Sequence, residues 1–216
     1  MPTMRRDVAA KLMLLVSCVG SAAIGGVCFA FASFIMQALH KLDASEAIKT
    51  MQEINTTILT SATIVVWMAM VLVGIAAAVL ADGSILSVLA ALAYTTGAVL
   101  ITGLGNVPLN NHLASVDVDD DDTTDLQEVW NTYSEKWGVY NVVRTVLFFL
   151  AALSFALDFG ATCVDVAGSH DGQPAGRRLR VADCLRGFSV DTAARGDRNS
   201  ETESLRGHSV ADALHH

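Results

Sequence analysis

The chain has 216 residues, of which 52% are hydrophobic and only 17% charged, with a formal net charge of −8 and a mean hydropathy of +0.45. Soluble globular chains carry about 25% charged residues, so the composition points to lipid, and the acidic balance excludes a basic nucleic-acid footprint. The charge is unevenly placed: residues 1–167 hold 7 Lys and Arg against 15 Asp and Glu, whereas 168–216 balance 7 against 7.

A membrane-spanning helix needs about 20 mostly apolar residues. Four runs meet this, at about 12–39, 58–81, 84–105 and 140–162. Helices are expected, because backbone groups in lipid must be satisfied within the segment. The predicted fold is all-α, an integral membrane four-helix bundle with a flexible C-terminal tail. The bundle takes up 12–165, the first eleven residues form a cytoplasmic N-terminus, and 166–216 reads as a disordered cytoplasmic tail rich in Gly, Ser, Asp and Arg. The first run begins with Arg5, Arg6 and Lys11 and resembles a signal peptide, but its apolar stretch is much longer than the usual signal core of about 7–15 residues. It is read as retained. Small residues recur along it at Ala22, Gly26 and Ala30, with Ser21 and Gly25 alongside. That spacing suits close helix packing, within the bundle or in a homo-oligomer.

The break at Asp82-Gly83 separates the second run from the third, which ends in the polar segment Gly105–His112. Basic residues gather in the N-terminus and tail, so a cell-membrane location with both termini cytoplasmic is expected. Three polar stretches then share the outer face: Met51–Asn55, Gly105–His112, and the approach to the fourth run. There Trp130, Ser134, Trp137, Asn141 and Arg144 are spaced 4, 3, 4 and 3, one stripe of a helix, which continues through Phe148, Ala151 and Phe155 to Asp158. Asn141 and Arg144 are thus expected to face the bundle. Polar groups at membrane depth often mark functional paths. Each also has a bland role: Arg144 can snorkel to water, the tryptophans can anchor at the interface, and the asparagines can join helices.

The ordered set Gly26…Phe29-Ala30-Phe31…Met36…Leu39, MQEIN, GNVPLN and W-x6-W-x3-N-x2-R-T resembles the anthrone-oxygenase-like membrane family over about residues 15–160. The resemblance implies a four-helix membrane bundle. Characterised relatives are fungal oxygenases that convert polycyclic anthrones to anthraquinones without an evident metal or flavin, so no cofactor is expected. By the same resemblance Asn55, Asn106, Asn110, Trp137, Asn141 and Arg144 are the candidate catalytic or anion-stabilising cluster. The expected partners are the lipid bilayer and a lipophilic aromatic, anthrone- or quinol-like molecule. The rival reading is a non-catalytic membrane protein that binds a lipid or partner, with a purely structural polar cluster.

Other motifs carry less. Asp117, Asp119, Asp121, Asp125 and Glu128 take calcium-loop positions, but Asp122 stands where an EF-hand turn needs Gly. His40, His112 and Glu53 come from separate segments and make no metal-ligand spacing. The four cysteines form no C-x-x-C pair and read as small apolar fillers plus one tail thiol. In the tail, Leu185–Val190 recurs at Leu205–Val210, two copies being too few for a solenoid.

Overall fold

The computed structural model describes residues 2–119 and 125–171, with side chains over 6–119 and 125–163. About 90% of it is helical, and there is no strand among the described residues. Helix α1 (Pro2–Ala30) runs through a π-helical turn, Phe31–Ile35, into the short α2 (Met36–Leu39). Next come α3 (Ala44–Thr60) and α4 (Ala62–Leu80). Helix α5 (Ile85–Thr95) continues as a π-helical segment, Thr96–Asn106, into α6 (Val107–Ala114), and α7 spans Leu126–Asp171. Four stretches are long and apolar enough to cross a membrane: Arg6–Leu39, Ala62–Leu80, Ile85–Ala114 and Leu126–Cys163. The protein is therefore an all-α membrane protein.

Contacts divide the chain into two units, Met1–Phe159 and Gly160–His216. The second contributes the last turns of α7, where Cys163 is disulfide-bonded, a correction to its reading as an apolar filler. Cys18 and Cys28 on α1 are free thiols. The remainder of the expected tail, with its repeat, and Asp120–Thr124 of the acidic loop lie outside the described residues.

Helix α3 is the main element that hydropathy alone does not separate. Apolar residues run on from Ile58 into the second span, yet the chain turns extended at Ser61 (φ −85°, ψ 158°). The hydroxyls explain the break. Thr60 Oγ1 donates to the Thr57 carbonyl at 3.0 Å and Ser61 Oγ to the Ile58 carbonyl at 2.8 Å, competing with the backbone ladder. The polar stretch Met51–Asn55 thereby falls on a separate amphipathic helix, whose Ala47, Ile48 and Met51 are buried. Between α4 and α5, Asp82 and Gly83 take left-handed backbone (φ 54° and 71°), a conformation that Gly and Asp tolerate best.

Two apolar clusters hold the first unit together. One joins Leu14, Ile24, Trp67, Tyr94, Phe148 and Phe155; the other joins Met36, Ile48, Met51, Leu113, Trp130 and Trp137. All nine residues of the α7 stripe, Trp130 to Asp158, are buried, so the 4-3-4-3 spacing does mark the inward face. Of the small residues picked out on α1 from their spacing, Ser21 and Gly25 are the buried ones, and Gly25 lies against Phe148 and Phe149. Glycine also lets the π-helical segment approach α7. A Cβ at Gly97 would stand 3.0 Å from the Phe148 ring, and one at Gly105 2.8 Å from the Tyr140 ring.

Candidate functional site

Between the two clusters lies a cavity of about 470 Å³. Its walls come from α1, the first π-helical turn, α3, α4, the second π-helical segment, α6 and α7. All six residues singled out from the sequence line it: Asn55, Asn106, Asn110, Trp137, Asn141 and Arg144. They arrive from four separate helical segments. Most of the remaining wall is apolar, including Met51, Ile54, Ile64 and Ala98.

Arg144 is the centre of the polar group. It is 6% exposed, so its guanidinium does not snorkel to water. Nη2 donates to Asn141 Oδ1 at 3.0 Å and Nη1 to Thr102 Oγ1 at 3.4 Å. Its Cζ stands 5.4 Å from the Trp67 ring centroid and 5.5 Å from that of Trp137, a cation held between two indoles. Such contacts are worth about 2 kcal/mol when desolvated. No ion pair among the described residues involves Arg144; those present are Arg6–Asp82 and Lys49–Asp119. Guanidinium groups stay charged in proteins. The positive charge is therefore buried without a countercharge, and it makes this wall attractive to an anion.

Neighbouring elements fix the orientation of that wall. Asn141 Nδ2 donates to the Cys28 carbonyl at 2.8 Å, three residues before the first π-helical turn, where the ladder changes register. Tyr94 OH donates to the Trp67 carbonyl at 3.0 Å, and the Trp67 ring meets Phe148 edge-on at 5.4 Å. At the other end, Tyr133 OH donates to Asn110 Oδ1 at 2.9 Å and accepts from Asn55 Nδ2 at 3.4 Å. Gln52 Nε2 donates to the carbonyls of Leu113 and Val116 at 2.8 and 3.0 Å, which ties α3 to the end of α6 and the turn after it.

Three polar atoms of the cavity residues are buried with no hydrogen-bond partner among the described residues: Arg144 Nε, Trp137 Nε1 and Asn106 Oδ1. Ser17 Oγ and Trp130 Nε1 share this condition but belong to residues outside the lining. Buried polar groups are nearly always paired, and leaving one unpaired costs about 1–3 kcal/mol. Asn106 Nδ2 meets the Trp137 carbonyl at 3.4 Å, which orients its Oδ1 as the free acceptor.

Sequence spacing missed Trp67, Thr102 and Tyr133. The first two lie within uninterrupted apolar runs, and no local signal sets them apart. Tyr133 had one: it stands four residues before Trp137, and the two rings stack at 6.5 Å. Trp130 and Trp137 are buried, so neither is an interfacial anchor. His40 and His112 do not line the cavity; His40 packs on Trp130 at 5.5 Å and His112 is exposed on α6.

No curated protein and no solved structure matches the chain. The family model for anthrone oxygenase matches residues 50–154, a stretch that contains all six candidate residues. With four helices long and apolar enough to cross a membrane, the chain is a membrane protein, similar to the anthrone-oxygenase family over residues 50–154.

Proposed function

We propose that the protein is a cofactor-independent membrane oxidoreductase that oxidises a lipophilic aromatic weak acid, anthrone- or quinol-like, with O₂. The observation that carries this reading is the buried guanidinium of Arg144, without a carboxylate and with its Nε unpartnered, on a largely apolar cavity of about 470 Å³. Pockets for small organic ligands span about 300–1,000 Å³ and combine apolar walls with a few placed polar groups.

The chemistry uses the substrate anion as reductant. The substrate loses a proton to water, and its oxyanion is held at the wall that the Arg144 guanidinium charges, a group already oriented by packing. Among the described residues no His, Asp, Glu or Lys lines the cavity, so ionisation depends on the guanidinium favouring the anion. The anion passes one electron to O₂. The resulting carbon radical and superoxide join through a new C–O bond at the ring carbon opposite the oxyanion. Protonation gives a hydroperoxide, and loss of water leaves the second carbonyl. The balance is anthrone plus O₂ to anthraquinone plus water. For a quinol, two electrons and two protons pass to O₂, giving quinone and hydrogen peroxide. The asparagines hold the substrate oxygens in register.

The test is O₂ consumption by the purified protein in lipid nanodiscs with a panel of anthrones and hydroquinones. Uptake above autoxidation that disappears in Arg144→Gln is expected. Uptake equal to the protein-free control across the panel would overturn the reading. The non-catalytic reading draws support from the bonds Arg144–Asn141–Cys28 and Asn55–Tyr133–Asn110, which tie separate helices together. It predicts that Arg144→Gln loses membrane expression rather than turnover. Both termini are placed in the cytoplasm and the cavity end of the bundle outside the cell membrane, on the concentration of Arg and Lys in the terminal segments. Reporter fusions at Pro2, Asp120 and His216 should place only the Asp120 fusion outside; an external C-terminus would reverse the assignment.

A further inference from the structure

Some residues that line the cavity are also exposed on the surface of the bundle, and a residue that does both stands at the mouth. Leu59, Met68 and Val107 are 68%, 48% and 42% exposed and all line the cavity; they form the apolar side of a mouth whose other exposed lining residues are Thr56, Asn111 and Ala114. Their position along the bundle decides what the mouth opens into. Met68 is six residues into α4, roughly 9 Å at the helical rise of about 1.5 Å per residue. That depth lies inside a hydrocarbon layer about 30 Å thick. Surrounding residues on the same elements, Val65 and Leu72 on α4 and Leu104 on the second π-helical segment, are exposed and apolar. The mouth thus breaks the lipid-facing belt, while Asn106, Asn141 and Arg144 are buried.

We propose that the cavity is entered sideways from the bilayer, through a portal rimmed by Leu59, Met68 and Val107, and that its ligand is a lipid-dissolved molecule, uncharged while it passes. Entry by this apolar side disfavours a permanent anion such as a sulfonate or phosphate, which would carry charge past Leu59, Met68 and Val107 at membrane depth. A phenol, enol or quinol crosses it freely. The portal itself stands on exposure and depth; the charge the ligand takes up inside rests on the reading of Arg144 as the anion-stabilising group.

Cys28, a free, buried thiol on the cavity wall, is a native reporter that needs no turnover. Intact protein in phosphatidylcholine nanodiscs is treated with pyrenylmaleimide, uncharged and lipid-dissolved, or with a sulfonated maleimide, and labelling is followed site by site by mass spectrometry. An Ala98→Cys variant supplies a second reporter on the wall. The uncharged reagent should label these thiols faster than the sulfonated one. Filling the mouth by Met68→Trp should slow the uncharged reagent about tenfold, and Val107→Trp serves if that variant does not fold. Equal rates for the two reagents would overturn the portal. So would an unchanged rate with the mouth filled, or two thiols inert to the uncharged reagent in the native protein. Slowed labelling without any O₂ uptake would leave the portal standing and remove the oxidase reading; unslowed labelling with normal uptake would do the reverse.

Discussion

Helix α7 carries two buried charges on one stripe, Arg144 and Asp158, and the protein treats them differently. Asp158 accepts hydrogen bonds from Ser84 at 2.8 Å and from Ser87, beside the N-terminus of α5, where the unsatisfied N–H groups also favour an anion. Each of its oxygens has a donor. Arg144 has partners for both terminal nitrogens but none for Nε, no carboxylate in reach, and a cavity in front of it. Burial of a charge is therefore not what separates a site from a structural pin. Completed hydrogen bonding makes Asp158 a fastener between α5 and α7, and it is the incomplete bonding on the cavity wall that supports the proposed role of Arg144 as a receptor.

The largest expected effect breaks the receptor alone. Arg144→Gln should lower substrate oxidation roughly a hundredfold or more, the scale of losing an oriented anion-stabilising group. Its thermal stability in detergent should hold or rise, because an uncompensated buried charge is removed. A large fall in melting temperature would place Arg144 with Asp158 as a fastener. The mirror experiment is Asp158→Ala, which orphans two serine hydroxyls. Stability should fall by about 1–3 kcal/mol, read by thermal or denaturant unfolding, with turnover per folded molecule near normal. Lost turnover without lost stability would dissolve the contrast.

Arg144→Lys sharpens it further. Lysine keeps the charge but lacks the planar fork that stacks between Trp67 and Trp137. About tenfold less oxidation is expected, and full activity would show that charge without shape is enough. The smallest effect concerns the rim of the receptor. Tyr133→Phe removes the hydroxyl joining Asn55 to Asn110. It should cost about 1 kcal/mol and speed hydrogen exchange in α3 and α6, with the least change near Asp158.

The α7 stripe was legible because residues at 4-3-4-3 spacing share one helix face, and that face has to be the buried one when the other meets lipid. For the same reason Asn141 and Arg144 could be placed inward before any contact was known. Other features resisted. The end of α3 at Ser61 depends on hydroxyl-to-carbonyl bonds that hydropathy does not register. The π-helical segment Thr96–Asn106 changes which side chains face α7, and it fits only because Gly97 and Gly105 let Phe148 and Tyr140 approach. Trp67 is one apolar residue among many until α4 is turned so that its ring lies against Arg144.

By itself the sequence determined the number of spans, the inward face of α7 and the short set of polar residues worth inspecting. Each follows from a local rule: lipid requires helices with satisfied backbones, and helical periodicity assigns faces. Only the tertiary structure decided that the six candidates share one cavity and that two indoles from different helices flank Arg144. Those properties depend on the rotation and separation of helices distant in sequence, set by close packing between their side chains, which no spacing within a single helix specifies.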